Sequence, residues 1–373
     1  MHEPVERIAI DPKEYEPKGV ALCLSGGGYR AMLFHAGAVW RLCELGILNE
    51  IDRVSSVSGG SITAAVLGMN WDKLNPSNFE RLVAKPLIDL AGHTLDVWAI
   101  ITSFFLPGTG GDRLPRMLAK HMFGDRTLGC LPCKPEFVIN SSNIQSGAIW
   151  RFSKYYVGDW RVGQLNNPCI PLSTAVAASC AFPPVLSPLC LKFDEEAYVD
   201  FSGYDLHAPE YMTDVRLSDG GVIDNLGLET AWKKHKDILV SDAGSDLPAV
   251  SRPSKRLLFH TPRIVQMIHN QVRRLRKRQL IASYDRKERA GAYWGIASNI
   301  NNYGLEGVIS FPLELAADLA RQPTRLAKIR SAWRQMDRRK QLINWGYAVC
   351  DTAIRKHYQS GPPASALPYE EEQ

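Results

Sequence analysis

The sequence predicts an α/β fold with a mostly parallel central sheet. One pattern, occurring twice, carries that expectation. Val20 to Leu24 is a short apolar run between Lys18-Gly19 and Ser25-Gly26-Gly27-Gly28, which reads as a buried strand entering a glycine loop. Ile51 to Val57 is a second such run, closed by Ser58-Gly59-Gly60. A helical pattern follows each. Met32, Leu33, Ala36, Val39, Trp40, Cys43 and Ile47 recur at helical spacing over Ala31 to Leu48, with Gly46 placed to cap the end. Ser61 to Leu67 reads as the second helix. Strand, loop, helix, strand, turn, helix sets helices on both faces of a sheet.

Further elements follow the same logic. Residues 70–128 read as a helical insert. It contains the most apolar stretch, Leu95 to Leu106, which falls short of the about 20 residues that span a bilayer; within it lies Val97 to Leu106 with Trp98, Phe104 and Phe105. That stretch reads as a core helix or as a cap that dips into acyl chains. Asp112 follows a second glycine loop. Phe137 to Asn140, Ala148 to Phe152 and Ile238 to Asp242 read as strands, and Ser173 to Cys180 is small and apolar, with Phe182-Pro183-Pro184 beyond it. The composition then turns basic. These features divide the chain into an N-terminal tail (1–18), a catalytic domain (19–250), a basic, mostly helical extension packed on the core (251–360) and a Pro-rich, acidic, disordered tail (361–373).

The 373 residues are 45% hydrophobic and 22% charged, enough for a sizeable core. A net charge of +5 is too small to argue for nucleic acid. The polar N-terminus shows no apolar leader, so a cytoplasmic protein with peripheral membrane contact is expected. Eight cysteines then read as reduced thiols. Cys130-Leu131-Pro132-Cys133 is a lone pair where a structural zinc site wants four ligands; Cys169 and Cys190 could complete one, but nothing in their spacing says so, and neither metal nor cofactor is expected. Arg263 to Leu280 places Ile264, Ile268, Val272 and Leu275 on one helical stripe, with Arg273, Arg274, Arg276, Lys277 and Arg278 elsewhere. The helix either packs this stripe on the core with a solvated basic face, or meets anionic lipid headgroups.

The chemistry centres on the serine-rich turn. A serine hydroxyl attacks only when it is exposed, oriented and partnered by a base. A sharp strand-to-helix elbow exposes it and needs small residues two before and two after. Ser58, flanked by Ser56 and Gly60 at the end of its strand, fits better than Ser56 or Ser61. A helix-capping role accounts for the same serines. The loop Gly26-Gly27-Gly28 leaves amides bare before a helix, which suits an anion. The P-loop lysine is missing and Ala31 stands where a dinucleotide loop has its third glycine, so an acyl-transfer oxyanion is the alternative to a phosphate. None of the nine histidines has a telling setting; His35 lies in a helix and His207 in a polar loop. An aspartate can serve as base when burial raises its basicity. Asp219-Gly220-Gly221 is the best candidate, although an ordinary Asp-Gly turn has the same residues.

Together these motifs resemble the patatin-like phospholipase family, including its cytosolic phospholipase A2 branch. Gly26-Gly27-Gly28-Tyr29-Arg30-Ala31 is similar to the family's oxyanion loop, Ser56-Val57-Ser58-Gly59-Gly60 to its nucleophile elbow and Asp219-Gly220-Gly221 to its base turn. Ala175 through Pro184 resembles its A-x-x-A-S-x-A-x-P segment. The motifs cover about residues 19 to 245. The resemblance implies a three-layer α/β/α fold and a lipid acyl hydrolase with a Ser58–Asp219 dyad in place of a triad. It implies an oxyanion hole at Gly26, Gly27 and Gly28, support from Arg30, Gly59, Gly60 and Gly220, and phospholipid or another fatty-acyl ester as substrate. An acyltransferase, a general carboxylesterase and a lipid-binding module without turnover are the alternatives on the same fold.

Overall fold

The computed structural model describes residues 17–92, 113–183, 186–200, 202–244, 247, 249–254, 257–321 and 337–369. Strand β1 (Val20–Leu24) leads into helix α1 (Gly28–Glu44), and β2 (Ile51–Val57) turns into α2 (Gly59–Asn70). Gly46 closes α1 as its position predicted, its N–H donating to the Cys43 carbonyl at 3.1 Å. Short helical turns then lead to α3 (Lys85–Gly92) and α4 (Arg113–Leu118). The apolar stretch Val97 to Leu106 and Asp112 lie outside the described residues.

An antiparallel region follows. It runs through β3 (Glu136–Asn143), β4 (Ile149–Phe152), β5 (Tyr156–Asp159) and β6 (Gly163–Asn166), then α5 (Leu172–Ser179), β7 (Leu189–Lys192), α6 (Pro209–Met212) and β8 (Asp214–Asp219). The chain continues as α7 (Gly221–Asp224), α8 (Glu229–Trp232), β9 (Asp237–Asp242), α9 (Leu257–Asp285), β10 (Ala290–Gly295), α10 (Leu313–Arg321) and α11 (Arg338–His357).

The sheet order is β10-β9-β1-β2-β3-β4-β5-β6, with β7 and β8 joined to it through β3. Strands β10, β9, β1, β2 and β3 are parallel, and every pairing beyond them is antiparallel. The sheet is therefore mixed, with the predicted parallel strands at its centre. Strands β1 and β2 are almost wholly buried because helices cover both faces, which is why they read as continuous apolar runs. The basic C-terminal region supplies more than helices: β10 is an edge strand of this same sheet, paired with β9.

Strand β3 has a double role. One of its edges pairs with β2 as far as Val57 opposite Asn140. The same edge then pairs with β8, which arrives from the opposite direction and places Asp219 opposite Ser141. The ends of β2 and β8 thus meet at consecutive positions of β3.

Helix α11 packs along α1, with Gln341 to Ile354 buried despite the basic residues at both its ends. Arg41 of α1 joins the two, donating to Asp351 at 2.8 Å and, through another nitrogen, to the Pro362 carbonyl at 2.6 Å. Asp351 is fully buried and also receives Arg355 at 3.0 Å. Contrary to the expectation of disorder from residue 361, the segment through Tyr369 is anchored at Pro362 and Tyr369. Tyr369 is buried against Trp40, and its backbone N–H donates to the Asn344 side chain at 3.0 Å. A Pro-rich composition suggested a free tail; one aromatic anchor and three hydrogen bonds to its backbone hold it instead.

Removing one partner of a buried ion pair strands the other. Asp351→Leu is therefore expected to lower unfolding free energy by about 3–5 kcal/mol in urea denaturation. A change within experimental error would show that the α1–α11 clamp is not structural.

Candidate active site

Ser58 is the residue between β2 and α2, and its backbone is held at φ 50°, ψ −122°. A serine rarely adopts such a conformation, which costs on the order of 1–3 kcal/mol. Close packing behind the turn holds it there. A side chain on Gly60 would meet the Leu24 and Ser25 carbonyl oxygens at 2.5 and 2.6 Å, so only glycine lets α2 start this near β1. The small residues expected around the elbow are needed for this approach.

A hydroxyl network fixes the turn from below. The Ser58 N–H donates to Ser179 Oγ at 2.9 Å, and Ser179 Oγ donates to the Asn140 carbonyl at 2.7 Å. Ser61 Oγ lies 2.9 Å from Ser179 Oγ and donates to Ser56 Oγ at 3.1 Å, which extends the network into α2. Ser179 lies in the small apolar segment marked in the sequence, but its hydroxyl tie to the elbow was not foreseen. Capping does not explain Ser58, because its side chain makes no cap hydrogen bond to α2.

Asp219 ends β8, 2% exposed. Its N–H donates to the Ala181 carbonyl at 2.9 Å and its carbonyl accepts from Ser142 Oγ at 2.9 Å. The carboxyl accepts from the Gly221 N–H at 2.7 Å, and the Ser58 hydroxyl lies near enough to lower its pKa. Burial pushes its pKa up to about 6, against the lowering effect of those two donors. Cys180 also lies beside Ser58 and Asp219, and burial raises its thiol far above the ordinary range. It is therefore a neutral wall of the site.

The glycine loop is only partly open. Gly27 and Gly28 have φ of 147° and 63°, backbone that favours glycine. Among the described residues their N–H groups meet no protein acceptor. The Gly26 N–H donates to the Asn225 carbonyl at 3.0 Å, which removes it from the predicted set of oxyanion donors. The Gly59 N–H, assigned beforehand only to loop support, is open in its place. It lies close to Gly28: a side chain on Gly59 would come 3.0 Å from the Gly28 nitrogen.

Arg30 is buried and turned away from the loop mouth. It donates to the Ala243 carbonyl at 2.7 Å and the Ala320 carbonyl at 2.8 Å, bracing the loop against β9 and α10. Burial and the neighbouring Arg273 lower its pKa to about 10. His35 is likewise structural. One ring nitrogen must donate to the Ser25 carbonyl at 2.9 Å, so the other accepts from Ser241 at 2.7 Å. Burial takes its pKa down to about 4, which keeps it neutral. His207 is tied to the Val162 carbonyl at 2.9 Å. Gly220 packs against the Asn140 carbonyl, where a side chain would come within 2.4 Å.

Cys130, Cys133, Cys169 and Cys190 are exposed free thiols, and among the described residues no group of three or more His, Cys, Asp or Glu could hold a metal.

The family model for patatin-like phospholipase matches residues 22–232, more than half of the chain. The chain belongs to the patatin-like phospholipase family. No curated protein sequence matches it. Among solved structures it is similar to human GIVD cytosolic phospholipase A2 in complex with methyl gamma-linolenyl fluorophosphonate, at 15% identity and a TM-score of 0.51, covering 90% of this chain and 57% of that one. It also matches VipD from Legionella pneumophila at 14% identity, covering 92% of this chain and 67% of that one with a TM-score of 0.40. The chain thus spans little more than half the length of the human enzyme.

The raised pKa of Asp219 has a stability consequence. The unfolded chain loses this proton near the ordinary value of 3.8, the folded chain only near 6. Ionising the buried carboxyl therefore costs stability progressively as pH rises between those values, and in full above them. Asp219→Asn is expected to raise unfolding free energy by about 2–3 kcal/mol at neutral pH and to have little effect below about pH 4. Equal effects at both pH values would contradict this account of the site.

Proposed function

We propose that the protein is a serine lipid acyl hydrolase of phospholipase A or lysophospholipase type, with Ser58 as nucleophile and Asp219 as base. One observation carries the reading: a serine with strained backbone, 9% exposed, stands beside a buried carboxyl whose pKa is pushed up to about 6. Such a carboxyl is ionised at neutral pH yet more basic than an ordinary aspartate, which suits proton abstraction from a hydroxyl.

The steps follow from the placement of the groups. Ser58 Oγ attacks the ester carbonyl as Asp219 accepts its proton. The amides of Gly27, Gly28 and Gly59 face the oxygen as it gains charge, with the N-terminus of α1 adding its dipole. Asp219 returns the proton to the leaving alcohol, and an acyl group remains on Ser58. Water gives a proton to Asp219 and attacks the acyl carbonyl; the fatty acid leaves and Ser58 regains its proton. Family membership supports a lipid ester as substrate. Engagement of Arg30 with two backbone carbonyls argues for oxyanion chemistry at the loop over nucleotide phosphate binding.

Ser58→Ala and Asp219→Asn are each expected to lower fatty-acid release from mixed phospholipid vesicles by at least about a thousandfold while the proteins stay folded. The wild-type kcat/KM is expected to rise with pH through an apparent pKa near 6, as Asp219 ionises. Undiminished release by Asp219→Asn would overturn the dyad.

A further inference from the structure

We propose that the outward face of α9 is the surface by which this protein rests on an anionic phospholipid bilayer, a role that builds on the lipid acyl hydrolase reading. The sequence pattern grouped Ile264, Ile268, Val272 and Leu275 on one stripe, and packing on the core was one expected outcome. The structure turns most of that stripe outward. Ile264, Met267, Ile268 and Leu275 are 47, 54, 58 and 50% exposed. A surface helix ordinarily buries its apolar stripe.

The reason lies in what holds α9 down. Its inward side is fastened largely by charge: Arg273 reaches Asp242 at 3.6 Å, and Arg276 reaches Asp224 at 3.7 Å and Glu229 at 3.0 Å. Lys277 stands over the Tyr293 ring at 4.3 Å, and Leu280 and Ser283 complete the buried side. These ties fix the rotation of the helix and leave the apolar residues facing solvent.

Charge points to one kind of occupant. Residues 257–284 carry six basic residues and no acidic one. Arg274 and Arg278 are exposed and share the outward face with Leu275. An apolar stripe edged by arginines suits a headgroup and acyl-chain boundary that is negatively charged. A nucleic acid would use the arginines but leave four large apolar side chains in water.

The stripe also borders the site. His269, next to Ile268, meets the Phe182 ring at 5.8 Å between centroids. Phe182 follows Ala181, whose carbonyl binds the Asp219 amide, and is itself 39% exposed. Val222, in α7 just after the base turn, is 38% exposed, and α7 packs against α9. Apolar surface thus continues from the α9 stripe to the residues flanking Asp219. A bilayer seated there would lie beside the dyad.

The test separates docking from turnover. Ser58→Ala protein, which leaves vesicles intact, is mixed with vesicles of phosphatidylcholine alone and of phosphatidylcholine with phosphatidylserine, and sedimented. Binding is expected to require phosphatidylserine. In that background Met267→Asp with Ile268→Asp, and separately Arg274→Gln with Arg278→Gln, are each expected to weaken binding at least about tenfold. With Ser58 present, the same pairs are expected to keep turnover of a soluble short-chain ester and lose vesicle hydrolysis. Ile268→Cys bearing a polarity-sensitive dye reports independently, with a blue shift expected on phosphatidylserine vesicles. Binding undiminished by the aspartate pair, no blue shift, or no binding to either vesicle would overturn the proposal. Preserved binding without ester turnover by any Ser58 protein would overturn the hydrolase reading and leave the docking surface standing.

Discussion

The arrangement depends on one shared edge of β3. Two strands use it from opposite directions, β2 up to Asn140 and β8 from Ser141 onward. Neither can extend without colliding with the other, so both chains must turn away there. The turn after β2 is Ser58 and the turn after β8 begins at Asp219. Two residues far apart in sequence become neighbours because hydrogen-bond register along a third strand leaves them no other place. The Ser179 hydroxyl ties the Ser58 turn to this edge, accepting from the Ser58 N–H and donating to Asn140 of β3.

A site built this way is locally unfavourable. Ser58 holds a backbone conformation suited to glycine, and Asp219 is a carboxyl sealed from water. Both persist because the surroundings are over-determined. Two-faced burial of β1 and β2, the Arg30 brace and the α1–α11 clamp fix the loop and elbow from different sides. His35 adds a neutral link between the end of β1 and the end of β9. Apart from Ser58 and Asp219, the residues with the most telling chemistry work on position: Arg30 and His35 hold the backbone that presents the open amides.

Local signals were legible in the sequence. The spans of β1 and β2 follow directly from their apolar runs and glycine boundaries, and the start of α2 differs from expectation by one turn or less. Ser58 and Asp219 were both selected from residue type and turn chemistry. What local patterns could not carry was pairing. Periodicity says that Ile264, Ile268 and Leu275 share a face, but not whether another element covers it. Glycine content says that amides are bare, but not that Asn225 takes the one at Gly26 while Gly59 offers another. Composition marked residues 361–373 as a tail, because the burial of Tyr369 depends on contacts with Trp40 and Asn344 of distant helices. In the antiparallel half only β4 was read as a strand, at Ala148 to Phe152; β5 to β8 escaped because they are short and take their meaning from pairing.

The central claim is that Asp219, through its ionised carboxylate, activates Ser58. Its most direct measurement is the rate at which an alkyl fluorophosphonate labels the protein as a function of pH, with the modified residue located by peptide mass spectrometry. The account predicts a single adduct on Ser58, a labelling rate that climbs through pH about 6 to a plateau, and near-complete loss of labelling in Asp219→Asn. An adduct on another residue, or a Ser58 labelling rate that is unchanged in Asp219→Asn, would contradict it.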